Sequence, residues 1–345
     1  MFNLQIKHGW LLYFWKYISN SLNDSNSLDS LDSLNDSNSL NDSNSLNDSN
    51  SLNDSNSSNE SKESNESKES NESNSPNLLD DLYAHGYRGI KLINTGGFAK
   101  IYKCTYNFQE YALKIAIHND YYNDYHNNEY NILMKFKPQP NVIPLITYTP
   151  QIPNMLVFPL CKDGDLLEYL QAYNLKKPHI EEITLQMGSA IQHIHNHKVL
   201  HRDIKAENIF VCGNKFILGD FGLSIHNEEL TYNKGAYDKV GTMEYFAPEV
   251  LLGEYGWCAD WWAFGIIVFE LFFNSFVWTI KNRSSKIQKS ILMNNIINTP
   301  PEIPHCDKTT RSFILALLHK DSHFRLGKNT WSEIKDHAFF NSSIP

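Results

Sequence analysis

Between Ser21 and Asn56 the hexapeptide Ser-Leu-Asn-Asp-Ser-Asn recurs with two shortened copies, and from Asn59 the unit becomes Asn-Glu-Ser-Lys-Glu-Ser. One leucine per repeat supplies too little apolar area to offset the entropy of ordering, while Asn, Asp and Ser compete for backbone hydrogen bonds. No core can form from such a segment. Residues 20–76 therefore read as a disordered, acidic tether, and whatever folds must lie outside it. Pro76 closes the stretch, and from about Tyr83 the composition turns aromatic and aliphatic, so that one folded unit extends to Phe340.

The tether also carries the charge. The whole chain has net −9, and residues 20–76 hold 12 acids against 2 lysines, or −10, which leaves +1 for the remainder. A near-neutral folded part with no block of Lys and Arg gives no reason to expect nucleic-acid binding. The serines of the tether, many followed closely by Asp or Glu, read either as acceptors for acid-directed kinases or as repeat expansion without a specific role.

Five cysteines (Cys104, Cys161, Cys212, Cys258 and Cys306) are an odd number without a C-x-x-C pair, which argues against a disulfide framework and a zinc site and fits a reducing intracellular compartment, cytoplasmic or nuclear. Residues 1–19 contain an apolar cluster, Trp10-Leu11-Leu12-Tyr13-Phe14-Trp15, flanked by Lys7 and Lys16. It is shorter than the ~20 apolar residues that span a bilayer. Packing or docking is the first reading, with membrane contact through residues 10–15 or a targeting signal as alternatives.

Within the folded unit, β-type runs such as Lys100 to Thr105 and Tyr111 to Ile117 come first, and helical patterns such as Ile180 to His195 and Ala259 to Phe273 come later. This order predicts an α+β, bilobal fold: a small β-rich lobe followed by a larger helical one.

His201-Arg202-Asp203-Ile204-Lys205-Ala206-Glu207-Asn208, followed by Asp220-Phe221-Gly222, resembles the catalytic loop and metal-binding turn of protein kinases. The resemblance covers about residues 88–340, with an N-lobe at 88–158 and a C-lobe at 162–340. It implies a serine/threonine protein kinase that uses ATP and Mg2+, with Asp203 as catalytic base, Lys205 at the transferring phosphate, and Asn208 and Asp220 as magnesium ligands. Lys205 favours serine/threonine over tyrosine acceptors.

The run Ile93-Asn94-Thr95-Gly96-Gly97-Phe98-Ala99-Lys100-Ile101 is similar to the glycine-rich loop that covers ATP phosphates, although Asn94 and Ala99 stand where the pattern has glycine. Taken alone, the run is an ordinary hairpin turn. Asn tolerates positive φ and Ala adds one methyl, so a stiffer phosphate-covering turn is expected. Lys114 resembles the strand lysine that contacts the phosphates, and Glu129 is its expected carboxylate partner. In Met155 to Cys161 the resemblance implies the inter-lobe hinge, with the Pro159 carbonyl and the Cys161 backbone recognising adenine and Phe158 closing the back. Asp165 is read as either a ribose-facing acid or a helix N-cap.

Further expectations follow from the resemblance. Arg202 awaits an anion, with Thr231, Tyr232 or Tyr237 once phosphorylated, or Glu228 and Glu229 unmodified, as candidates. Thr242 bonds Asp203 and Lys205, Glu249 pairs with Arg325, and Asp260 holds the catalytic-loop backbone. His193, His195 and His197 are structural. Asp260 to Gly265, Arg325-Leu326-Gly327 and Ile334 to Phe340 lean toward the cyclic-nucleotide-dependent and related kinases. Asp165, Glu207 and Glu270 point to protein substrates with basic residues before the acceptor. The rival reading is a pseudokinase or scaffold, suggested by Asn94 and Ala99 alone.

Overall fold

The computed structural model describes residues 78–117, 120–149, 155–328 and 330–340. The readings of residues 1–19 and 20–76 fall outside these. The first described element is a helix, α1 (Leu78–Ala84), ahead of residue 88 where the resemblance begins. Three antiparallel strands follow, β1 (Arg88–Thr95), β2 (Ala99–Tyr106) and β3 (Gln109–Ala116), then helix α2 (Asp120–Leu133) and strands β4 (Thr147–Thr149) and β5 (Met155–Pro159). The five strands form one sheet in the order β1-β2-β3-β5-β4.

Strand alternation sorts the sheet into two faces. On β3, Tyr111, Leu113 and Ile115 enter a small core with Leu82 of α1, Cys104, Met155 and Val157. The intervening Ala112 and Lys114 point to the opposite face, where Leu156 and Phe158 of β5 join the larger core. The register sets Lys114 opposite Ile101 on one side and Leu156 on the other. The apolar run of β3 from Tyr111 thus delivers one lysine to a cleft.

The second lobe is helical, as expected. It contains α3 (Leu166–Ala172), α4 (Lys177–Asn196), α5 (Pro248–Leu252), α6 (Cys258–Phe273), α7 (Lys286–Asn298), α8 (Lys308–Leu317) and α9 (Trp331–Lys335). Helix α6 is buried from Cys258 through Leu271, the mark of a helix surrounded by others. Two short ribbons cross this lobe: β6 (Val199–Leu200) with β9 (Ile225–His226), and β7 (Ile209–Cys212) with β8 (Lys215–Leu218). The chain between β6 and β7 is the Asp203 loop.

One close approach fixes the far end of the lobe. A Cβ at Gly188 of α4 would stand 2.0 Å from the Trp331 indole, so only hydrogen lets that ring lie across the helix. Trp331 in turn stacks in parallel with Trp261 of α6, their centroids 5.9 Å apart.

Candidate active site

A cleft of about 330 Å³ opens between the lobes. Ile93, Ile101 and Ala112 line it from the sheet, Phe210 of β7 lines it from the helical lobe, and Phe158, Pro159 and Cys161 connect the two. Of the glycine-rich run, Ile93, Asn94 and Ile101 border the cleft. Gly96 N–H donates to the Ala99 carbonyl at 2.9 Å, closing the turn. Phe98 leans on Tyr125 of α2, ring to ring at 4.6 Å. Asp165 caps α3, accepting from Glu168 N–H at 2.9 Å, and also lines the cleft.

At the back, Lys114 Nζ donates to Glu129 Oε2 at 2.6 Å and to Asp220 Oδ1 at 2.8 Å. Glu129 also accepts from the Phe221 N–H at 3.3 Å, so one buried carboxylate holds both the lysine and the Asp220 turn. Burial opposes the charge of Asp220, but Lys114 outweighs it and holds the carboxyl at about 2. Asn128 adds a second tie, donating to the carbonyls of Gly222 at 3.1 Å and Ser224 at 2.7 Å.

Asp203 sits below, 8% exposed. Thr242 donates to its Oδ1 through both N–H and Oγ1 at 2.9 Å. Asn208 Nδ2 donates to Oδ2 at 3.0 Å, and Lys205 Nζ lies 3.0 Å from the same oxygen and donates to Thr242 Oγ1 at 3.0 Å. The Asn208 amide nitrogen is thereby committed, leaving its carbonyl oxygen as the atom available to a cation. Gly241, at φ +109°, makes the approach possible: a Cβ there would meet the Arg202 carbonyl at 2.4 Å.

The loop is held from below. Asp260 accepts from the backbone N–H groups of His201 and Arg202 at 2.9 and 3.0 Å and pairs with His195 at 2.8 Å. His201 is fully buried. It accepts from Asp203 N–H at Nδ1 and so donates from Nε2 to Gly219 O, the arrangement of a neutral imidazole, and burial pushes its pKa down. His193 and His197 bond backbone carbonyls of Lys137 and His193, in keeping with structural roles. Arg325 bridges Glu249 in a bidentate pair at 2.5 and 2.9 Å.

In the unmodified chain Arg202 meets an acid outside the five candidates. Its Nε donates to the Leu223 carbonyl at 2.6 Å, and its Nη1 stands 3.7 Å from Asp238, an acid the sequence had not singled out. The five anticipated partners lie elsewhere: Tyr237 bonds Glu254, Tyr232 bonds the Arg325 carbonyl, Glu228 meets His226, and Thr231 N–H bonds the Lys234 carbonyl, while Glu229 N–H bonds the Asn227 side chain. The loop after β9 folds back so that Asp238, beside Tyr255, is the residue brought to the guanidinium.

Beyond Thr242, Tyr245 donates to both oxygens of Glu270, at 3.0 and 2.8 Å. Burial, followed by the charges of Glu207 and Glu244, pushes the Glu270 carboxyl up to about 8, against the favourable Tyr245 bond. The folded chain therefore keeps a proton there that the unfolded chain releases near 4.5. The stability this contributes is full below 4.5 and is lost as pH rises to about 8. A slope of up to ~1.4 kcal/mol per pH unit corresponds to about 3 °C in Tm for a domain of this size. Melting curves from pH 5 to 8 are expected to fall more steeply for the parent chain than for Glu270→Gln; parallel curves would refute the assignment.

A sequence model described as "Protein kinase domain" matches residues 87–340. The chain belongs to the protein kinase family. It is 30% identical over 268 residues to the serine/threonine-protein kinase Sgk1 of Xenopus tropicalis, covering 74% of this chain and 62% of that protein. To human Sgk1 it is 29% identical over 265 residues, covering 73% and 59%. The chain thus spans about three fifths of the length of these curated relatives.

In this kinase-family chain, sequence reasoning missed Phe210, Ile143 and Ala112 as cleft residues, and Asn128 as the tie between α2 and the Asp220 turn. Only the alternation of β3 around Lys114 carried a signal, and it pointed to Ala112.

Proposed function

We propose that the chain is a serine/threonine protein kinase that moves the γ-phosphate of ATP to hydroxyls of protein substrates. The observation that carries this reading is Lys114 bridging Glu129 and Asp220 above an Asp203 that is held by Thr242, Asn208 and Lys205. The apolar faces of Ala112, Ile101 and Phe210 suit a planar base, and the Lys114 ammonium suits its phosphates. Asn208 and Asp220 offer oxygen donors, the type a hard cation such as Mg2+ prefers, and would hold it together with the substrate phosphates. When bound, Mg2+ would neutralise phosphate charge. In transfer, the substrate oxygen bonds to the γ-phosphorus, the bond to the ADP oxygen breaks, and the hydroxyl proton passes to Asp203. Lys205 is placed to neutralise the moving phosphoryl group.

Glu207 of the Asp203 loop and Glu244 just beyond Thr242 support substrates carrying basic residues before the acceptor, whereas the buried Glu270 carboxyl keeps its proton to about pH 8 and adds no charge. The five free thiols are in keeping with an intracellular setting. Labelled ATP and Mg2+ with a mixed peptide library test the reading: label on serine or threonine is expected, with Lys114→Met reduced by about 10²-fold or more. ATP binding without any transfer would instead support a partner-binding scaffold.

A further inference from the structure

The acid group beside Tyr245 already contains a guanidinium of the chain itself. Arg283, in the loop between α6 and α7, places Nε 2.6 Å from Glu244 Oε1, and its guanidinium lies over the Phe276 ring at 5.9 Å. Phe276 in turn meets the Tyr245 ring edge-on at 5.8 Å. The Arg283 side chain is 64% exposed whereas that of Glu244 is 8% exposed, so the cation reaches in from solvent to a buried acid. The contact lacks hydrogen-bond alignment: Glu244 Oε1, like Glu207 Oε2, is buried without a hydrogen-bond partner among the described residues. Glu244 Oε1 thus keeps acceptor capacity that the Arg283 contact does not use.

We propose that Arg283 is an intramolecular stand-in for a substrate arginine, occupying Glu244 and thereby limiting how strongly the site favours basic peptides. The inference rests on the kinase reading and on basic substrates. A poorly aligned, solvent-reaching pair is readily displaced, so a substrate guanidinium competes with Arg283 and gains only the difference between the two contacts.

The test is the ratio of kcat/KM for two peptides that differ only in arginine against norleucine before the acceptor. Arg283→Gln is expected to raise that ratio about three- to fivefold, a gain that shrinks at high salt, while Arg283→Lys stays near the parent. A double-mutant cycle with Glu244→Gln should show the Arg283→Gln gain disappearing once the acid is gone. An unchanged or lower ratio in Arg283→Gln, with melting temperature preserved, overturns the proposal. If the parent prefers arginine in that case, only the role of Arg283 fails; if neither protein prefers arginine, the basic-substrate reading fails with it.

Discussion

Asp203→Asn is expected to reduce phosphoryl transfer by about 10²- to 10⁴-fold while leaving ATP affinity near that of the parent chain. The carboxylate does two separable things. Oδ1 anchors the segment through both donors of Thr242, and Oδ2 faces Lys205 and Asn208. An amide oxygen can keep the Thr242 bonds if it takes the Oδ1 position, but it accepts no proton from a hydroxyl at neutral pH. The defect should therefore appear in kcat rather than in KM for ATP, because Asp203 does not line the nucleotide cleft. Single-turnover transfer and nucleotide titration, run on the same sample, separate the two. Transfer at parental rate would remove Asp203 from the chemistry, and loss of ATP binding would mean that the substitution had collapsed the loop.

The second large effect concerns stability. Arg325 is 1% exposed and donates to both Glu249 oxygens and to the carbonyls of Cys258 and His319. Arg325→Met leaves a carboxylate and carbonyls without their cation, a loss of about 3–5 kcal/mol, or on the order of 10 °C in Tm. Arg325→Met with Glu249→Leu removes the charge left behind and should recover a substantial part of that loss. A thermal melt of single and double variants decides it: a single variant within about 2 °C of the parent would show that the bridge contributes little. Because Glu249 lies in α5, which follows the Thr242 turn by a few residues, the single variant should also transfer phosphate poorly below its melting point.

The parts of this site that were legible in sequence are those whose chemistry is local. Asp203, Lys205 and Asn208 occupy one loop, so their spacing alone brings them together. The Lys114 to Glu129 pair was legible by elimination, since α2 offers few acids near its end. Phe210 was not, because a phenylalanine on a cleft wall looks like any core phenylalanine until the strand is placed. Asp238 was hidden for another reason: which acid meets Arg202 depends on how the loop after β9 folds back, and several acids were equally close in sequence. Arg283 and Glu244 are likewise distant along the chain and meet through tertiary packing. Helix α1 was obscured by the tether, since Asp80 and Asp81 continue its acidic composition.

The crossing of Trp331 over Gly188 has a meaning for how such a chain can change over time. Any side chain larger than hydrogen at 188 occupies the space of the indole, so residue 188 can grow only if residue 331 shrinks, whereas a smaller residue at 331 leaves a cavity against glycine. Residue 188 lies midway along α4 and residue 331 begins the last described helix. A change that displaces Trp331 would thus be felt as an empty slot on the helix that leads into the His201 loop.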